Sequence, residues 1–150
     1  MIVRTTLDTN DTDWLTLRAE FIPELSLAGQ CGFLQAFAQQ SAGFCAFIAS
    51  DTQGQATGFA EVSLRTDYVN GCRHRPALYL EGIFVQPQFR GRGIARALCA
   101  AAEQWGRDQG CREFASDVYI DDENSLAAHA GLGFEEMERV VCLRKLITVE

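Results

Sequence analysis

The stretch VQPQFRGRGIA, residues 85–95, places two glycines between arginines, just before a helical pattern begins. A helix leaves its first backbone N–H groups without intrahelical partners, and its macrodipole adds positive charge at that end. The glycines would let an anion approach the main chain without a Cβ in the way, while the arginines add charge. The stretch therefore predicts an anion cradle, with an ordinary glycine turn and solvated arginines as the alternative. The residues are Arg90, Gly91, Arg92, Gly93 and Arg96.

Two common nucleotide-binding motifs do not fit this loop. A Walker phosphate loop needs a lysine directly after its last glycine, and the sequence has none there. A dinucleotide fingerprint would need glycine where Arg96 stands. What remains is the pattern Q-x-x-G-x-G, formed by Gln88, Gly91 and Gly93.

Two carboxylates lie in neighbouring predicted strands. Glu81 interrupts the apolar run ALYLEGIFV, where a charge is costly unless it has a function or a partner. Asp117 lies near the end of the next predicted strand, REFASDVYI. A structural ion pair is the alternative for Glu81, and a solvated strand end is the alternative for Asp117.

Along the chain, the spacing of apolar residues changes between the periods typical of strands and of helices, which predicts an α/β fold. Asp11 or Asp13 can cap a first helix that Pro23 ends, and Gly110 is a stop signal for the helix that follows the glycine loop. The predicted order is strand, two helices, three strands, helix, strand, helix, strand. The strands are predicted at 2–7, 43–50, 56–65, 77–85, 112–120 and 139–147, and the helices near 11–22, 27–40, 94–109 and 123–132.

Length and charge limit the classes of function. With 150 residues, 47% of them hydrophobic, the chain suits one domain spanning 1–150. The net charge of −7 argues against a nucleic-acid partner and would attract a cationic substrate, although acidity can also simply keep a protein soluble.

The sequence also predicts a soluble, cytoplasmic protein without a membrane partner. The first residues lack a basic patch followed by an apolar run, and no stretch reaches the roughly 18 apolar residues of a membrane span. The six cysteines fall inside apolar patterns and form no C-x-x-C pair, which predicts free, mostly buried thiols. His74 and His129 have no metal-ligand spacing, so no metal is expected.

The Q-x-x-G-x-G loop has a characteristic setting, with LEGIFV before it and NSLAAHAGLGF after it. In this setting the chain resembles the GCN5-related N-acetyltransferase (GNAT) superfamily over essentially its full length. A closer resemblance, to the type I aminoglycoside 6'-N-acetyltransferases, is carried by DYVNGC, LEGIFV, WG, GCREFASD and LGFEE. The resemblance implies the GNAT fold: a mixed, mostly antiparallel sheet, splayed at the cofactor site, with helices on both faces.

The resemblance also implies acetyl-CoA as the cofactor. Its pyrophosphate would lie on the glycine loop, and its pantetheine would pair with the exposed edge of the central strand, as an added strand does. Asn124 fits the cofactor-contacting asparagine of the family, or it is an N-cap. The implied cofactor-binding residues are Ile83, Phe84, Val85, Gln88, Arg90, Gly91, Arg92, Gly93, Ile94, Ala95 and Asn124.

By the same resemblance, Glu81 and Asp117 would hold the reacting amine and accept its proton, directly or through water. His129 stands where many members of the superfamily have a tyrosine that protonates the thiolate; Tyr119 is a substitute, and an exposed helical histidine is the alternative. The substrate would lie in an acidic, partly aromatic trough formed by Asp67, Tyr68, Glu81 and Asp117.

Three questions stay open at this stage. The related resistance enzymes carry Trp-Pro where this chain has Ile22-Pro23, so the substrate could be another small amine or a protein amine. The chain could instead be a CoA-binding module without catalytic activity, which is a different class of protein. The apolar run from Val140 to Ile147 could form a homodimer interface or close the sheet.

Overall fold

The structure is a computed structural model and describes residues 1–148. Its centre is a five-stranded sheet in which the first four strands are antiparallel and the fifth runs parallel to the fourth. In sheet order, the strands are β1 (Ile2–Thr6), β2 (Phe44–Ser50), β3 (Ala56–Arg65), β4 (Ala77–Val85) and β5 (Phe114–Ala115). The helices are α1 (Thr12–Phe21), α2 (Leu27–Gln40), α3 (Ile94–Asp108) and α4 (Glu123–Leu132), with a short 3-10 turn at Pro87–Phe89. The mixed, mostly antiparallel sheet is thus confirmed.

Local sequence signals set the helix boundaries. Asp11 caps α1, because its carboxylate accepts the backbone N–H of Trp14 at 3.2 Å. The helix ends at Phe21, two residues before Pro23. Downstream of α3 the chain turns at Gly110, whose φ of 84° is the left-handed conformation that glycine adopts without strain.

Helices cover both faces of the sheet and divide the core into two layers. On one face, α3 packs Ile94 and Leu98 against Leu78 and Leu80 of β4. On the other face, α1 and α2 bury Trp14, Leu17 and Leu34 against Ala46, Ile48 and Phe59. Neighbouring residues of β3 and β4 therefore point to opposite layers, as strand geometry requires.

The sheet opens between β4 and β5. Their pairing is limited to Leu78 with Phe114 and Tyr79 with Ala115. Strand β4 continues to Val85, and within residues 1–148 its last six residues have no strand partner on that side. The predicted splay is confirmed, and the strand predicted over 112–120 is reduced to two residues because its continuation diverges from β4.

Strand β4 carries one extra residue at this opening. Glu61 of β3 lies opposite Gly82, and the next residue, Val62, lies opposite Leu80. Glu81 is therefore the unpaired residue of a β-bulge. Bulges bend a strand and re-aim a side chain, and they are common beside active sites.

The last predicted strand is wrong for the isolated chain. In the described part of the chain, residues 139–147 form neither helix nor strand. Val141, Leu143 and Ile147 are 83%, 90% and 88% exposed, so this segment does not close the sheet. An apolar strand needs a neighbouring strand and a surface to cover its side chains, and its own chain supplies neither here.

The six cysteines are free thiols, as predicted, but half of them rather than most are buried. Three of them, Cys45, Cys99 and Cys111, are buried, and burial raises the pKa of Cys45 and of Cys99 to about 11. Within residues 1–148, no helix combines the length and the apolar character needed to cross a bilayer.

Candidate active site

The glycine loop forms an open cradle at the start of α3. Gly91 and Gly93 have φ values of 73° and 78°. Apart from the glycine itself and its two neighbours in the chain, no described atom lies within 4 Å of a Cβ added at either position. The space beside these backbones belongs to a cleft of about 270 Å³, bounded on its other side by α4. The lining residues from α4 are Ala128, Gly131 and Leu132. Glycines that line an open cleft at a helix N-terminus, where the first backbone N–H groups have no intrahelical partner, fit a bound pyrophosphate.

The arginines of the loop also hold its shape. Arg90 Nε donates to the carbonyl of Val85 at 2.9 Å, and Arg92 Nη2 donates to the carbonyl of Gln88 at 3.1 Å. Arg96 Nη2 reaches across the cleft to the carbonyl of Gly131 at 3.1 Å. Each guanidinium has five N–H donors, so these bonds leave others for an anion.

The predicted pantetheine edge lies directly before the cradle. Ile83 and Val85 pack into the α3 layer, whereas Phe84 points to the α1 layer, where it contacts Phe21 at 5.7 Å between ring centroids. Alternate backbone groups of these residues bond to β3, and the others face the opening between β4 and β5.

Asn124 lies in the first turn of α4, one turn before the cleft-lining Ala128. It is not the N-cap: Asp122 has that place, since its carboxylate accepts the N–H of Ser125 at 2.9 Å. The capping alternative for Asn124 is therefore wrong, and cofactor contact stays a prediction for Asn124 and for the exposed side chain of Gln88.

Glu81 and Asp117 belong to one connected polar group. Glu81 accepts Ser63 Oγ at 2.5 Å and Arg65 Nη2 at 3.0 and 3.2 Å. The guanidinium carbon of Arg65 lies 3.5 Å from the ring centre of Tyr79. The Tyr79 hydroxyl in turn donates to Asp117 Oδ1 at 2.6 Å. Burial and the bond to Asp117 raise the pKa of Tyr79, so this hydroxyl stays a donor at neutral pH.

His129 faces the end of β5 from α4. Its Nδ1 lies 2.8 Å from the carbonyl oxygen of Ser125, which can only accept, so Nδ1 carries a proton. Its Nε2 lies 2.9 Å from Ser116 Oγ, beside Asp117 in sequence. The histidine is therefore held at the opening rather than free on the helix surface, while Tyr119 is 84% exposed. Catalysis by His129 stays a prediction.

Asp67 and Tyr68 are exposed on the loop between β3 and β4. The next residue, Val69, is buried against Tyr79 and fixes the loop beside the polar group. Asn70 Nδ2 donates to Glu138 Oε2 at 2.8 Å. The loop thus stands next to the carboxylates, and substrate contact by Asp67 and Tyr68 stays a prediction.

Sequence reasoning missed the partners of the two carboxylates. Ser63 and Arg65 alternate on β3, and Tyr79 and Glu81 alternate on β4, which was a usable signal for polar residues on one face. Phe21 was also missed as a wall residue: it lies next to Gly82, with Cε1 3.5 Å from the position of an added Cβ.

Residues 11–134 match the acetyltransferase (GNAT) family, and the chain belongs to that family. The predicted superfamily and fold are confirmed.

Its similarity to individual proteins is more specific. An aminoglycoside N(6')-acetyltransferase type 1 from Acinetobacter genomosp. 13 is 43% identical over 135 residues, covering 90% of this chain and 91% of the relative. The same-named enzyme of Stenotrophomonas maltophilia is 54% identical over 98 residues, 65% of this chain, and the match spans 64% of that relative. The predicted closer resemblance is thereby confirmed.

Solved structures agree. AAC(6')-Iy in complex with the bisubstrate analog CoA-S-monomethyl-acetylneamine superposes with a TM-score of 0.87 at 41% identity, covering 97% of this chain and 98% of the other. AAC(6')-Ih from Acinetobacter baumannii superposes with a TM-score of 0.84 at 36% identity, covering 98% and 100%.

Proposed function

We propose that this chain is an acetyl-CoA-dependent N-acetyltransferase that acetylates the 6'-amine of aminoglycosides, acting as a single domain and conferring resistance to these antibiotics. One observation carries the proposal: Glu81, placed by a bulge, lies in the strand that leads into the anion cradle. Similarity to aminoglycoside N(6')-acetyltransferases supports the substrate class.

Acetyl-CoA supplies an activated acetyl group as a thioester. The cradle at Gly91 and Gly93 would hold its pyrophosphate, with Arg90, Arg92 and Arg96 adding charge. The free edge at 83–85 would bind its pantetheine arm. The two sites adjoin along one strand, which would direct the acetyl group toward Glu81.

The carboxylates would prepare the amine. A primary amine has a reference pKa near ~10.4 and is largely protonated at neutral pH, so it must lose a proton before it can attack. Glu81 is half-buried and would accept that proton, directly or through water. Asp117, held by Tyr79, would accept a hydrogen bond from the amine and so orient it. The acidic, aromatic loop residues Asp67 and Tyr68 would bind the rest of a polycation.

His129 and Ser116 would serve the leaving thiol. A model thiol has a pKa of about 8.5, so a hydrogen bond or a proton at the sulfur assists its departure. The Ser116–His129 bond places an exchangeable proton at the end of β5, next to Asp117.

The substrate assignment is tested by thiol release from acetyl-CoA with a panel of amines. We expect rapid turnover of tobramycin and kanamycin and none with an aminoglycoside that has a hydroxyl in place of the 6'-amine. Polyamines, other small amines and amino-terminal peptides complete the panel. Equal rates with and without the 6'-amine would contradict the regiospecificity, and no release with any amine would indicate a CoA-binding module instead.

The cofactor site is tested by a pair of glycine variants. Gly91→Ala should raise KM for acetyl-CoA about tenfold, because a Cβ would stand in the cradle and the loop would resist positive φ. Gly54→Ala in the β2–β3 turn is the matched control, since its φ is 84° and its Cβ position is equally open among the described residues. Both should lose about 1–2 kcal/mol of stability from backbone strain. If Gly91→Ala and Gly54→Ala raised KM for acetyl-CoA equally, the glycine loop would not be the cofactor site.

We propose a homodimer in which residues 140–147 pair with a second copy. The exposure of Val141, Leu143 and Ile147 supports this, as does the hydrogen bond from Asn70 to Glu138 that holds the start of the segment beside the substrate loop. Light scattering should give twice the chain mass, and Leu143→Asp should give the monomer mass. A wild-type monomer would contradict the proposal.

We also propose a cytoplasmic location. Six free thiols, one of them exposed at Cys142, suit a reducing compartment. Cell fractionation should recover the protein with cytoplasmic markers.

A further inference from the structure

The two carboxylates of the site have partners of different charge. Glu81 is paired with the guanidinium of Arg65, through bonds of 3.0 and 3.2 Å to its two oxygens. Asp117 is bonded to a neutral phenol, the hydroxyl of Tyr79, at 2.6 Å. The charge of Glu81 is therefore balanced within the chain, and that of Asp117 is not balanced by this partner.

Arg65 is held where it is by more than its ion pair. Its guanidinium stacks over the face of Tyr79, 3.5 Å from the ring centre, and Arg65 is the last residue of β3. Ser63, two residues earlier on the same face, donates to the same Glu81 oxygen. A cation stacked on a ring that is itself anchored to Asp117 has a defined place between the two carboxylates.

An arginine in this place is unexpected in a site for cationic amines. An ammonium group that approaches Glu81 meets a pair whose net charge is close to zero, and a second cation is already within contact distance of the carboxylate. A ligand with one positive charge therefore gains little Coulomb energy at Glu81, since it must displace the guanidinium or share the carboxylate with it. A polycation has other charges that can be attracted by Asp117 and by the acidic loop at Asp67.

We infer that Arg65 sets a threshold for substrate binding: it neutralises Glu81, so that one ammonium alone binds weakly and only ligands with several positive charges bind well. Arg65 lowers the affinity of every amine at Glu81, and the further charges of a polycation supply the missing attraction elsewhere in the site. The inference rests on the proposed function, because it assigns Glu81 to the amine site. It deepens that function by stating what separates an aminoglycoside from a monoamine.

Neutral replacements of Arg65 test the inference. We compare KM for tobramycin with the inhibition constant of a capped lysine, whose single ammonium makes it a competitive ligand even without turnover. In Arg65→Gln the inhibition constant should fall about fivefold, the size of one partly exposed charge interaction, and KM for tobramycin should fall by a similar factor, because its reacting amine meets the same carboxylate. Arg65→Met should behave alike, and Arg65→Lys, which keeps the charge, should leave both constants near those of the unaltered chain.

Controls separate the possible failures. Arg107→Gln removes an exposed arginine of α3 that is paired with Glu103 at 3.6 Å, and it should leave both constants unchanged. If the neutral variants weaken the binding of both ligands, or leave both constants unchanged, Arg65 only supports Glu81 and the inference is wrong. Absence of tobramycin acetylation by the unaltered chain would instead overturn the proposed function. Melting temperatures of all variants verify that they fold.

Discussion

Arg18–Glu61 and Arg65–Glu81 are two arginine–carboxylate pairs on the same face of one sheet. Glu61 lies in β3 and Glu81 in the adjacent β4. The first pair is covered by α1 and α2, with side chains 1% and 6% exposed. The second pair stands at the mouth of the site, with side chains 43% and 19% exposed. The same two chemical groups are thus buried in one pair and accessible to solvent in the other, and the two carboxylates lie on adjacent strands.

The buried pair is fully bonded inside the fold. Glu61 accepts Trp14 Nε1 at 2.7 Å and is bound by Arg18 at both oxygens. Gln30 accepts Arg18 Nε at 3.0 Å and donates to the carbonyl of Ile22 at 2.8 Å, so the pair also joins α1 to α2. Burial raises the pKa of Glu61, and the charge of Arg18 opposes this. The Arg18–Glu61 pair has almost no access to water, whereas the Arg65–Glu81 pair, which is proposed to bind substrate, can be reached from solvent.

The largest expected effect comes from breaking the buried pair. Glu61→Gln should lower the free energy of unfolding by about 3–5 kcal/mol, because it leaves the Arg18 charge buried without its counterion. Urea denaturation measures the change. The double variant Glu61→Leu with Arg18→Met should recover much of the loss, since an apolar replacement removes both charges together. A single-variant loss below about 1 kcal/mol would contradict the structural assignment.

The exposed pair should respond in the opposite manner. Glu81→Gln should lower kcat about 100-fold or more, the usual contribution of a positioned base, with little change in KM for acetyl-CoA. The free energy of unfolding of Glu81→Gln should differ from that of the unaltered chain by less than about 1 kcal/mol, as is usual for solvent-accessible ion pairs. Glu103→Gln, on the far face of α3, is the matched control. Unchanged turnover in Glu81→Gln would remove Glu81 from the mechanism.

A third pair, Arg4–Asp11, extends the comparison to a helix cap. Arg4 Nη1 lies 2.5 Å from Asp11 Oδ2, and this hydrogen bond, with the Trp14 N–H, lowers the pKa of Asp11 from 3.8 to about 2. A carboxylate whose pKa is lower in the folded chain than in the unfolded chain stabilises the fold at pH values above its unfolded pKa. This stabilisation is lost as the carboxylate is protonated. Stability should therefore fall between about pH 4 and pH 2, by about 1 kcal/mol after allowance for solvent screening.

Comparison of acid titrations isolates this contribution. Asp11→Asn keeps a capping side chain and removes the charge, so its unfolding free energy should show a shallower slope between pH 4 and pH 2 than that of the unaltered chain. Identical slopes would show that Asp11 does not titrate in this window.

Much of the site could be predicted from local sequence. The glycine loop and the bounds of α2, β4 and α4 follow from short-range patterns, and the structure agrees with them. The alternation of Ser63 and Arg65 indicates a polar face on β3, but their pairing with Glu81 depends on the register of β3 against β4 and on a bulge that no local pattern indicates. Likewise, the period of 139–147 is that of a strand, but a strand forms only where another strand is available to pair with it.

The bulge at Glu81 gives β4 two alternation frames. Tyr79 and Glu81 point toward α1, Gly82 lies on that same side beside Phe21, and the alternation then continues so that Ile83 and Val85 return to the α3 layer. The half of the strand proposed to bind the amine and the half proposed to bind the cofactor are thus out of phase by one residue. Deleting Glu81 would therefore remove the proposed base but restore one regular alternation, in which Ile83 and Val85 stay in the α3 layer with Leu78 and Leu80.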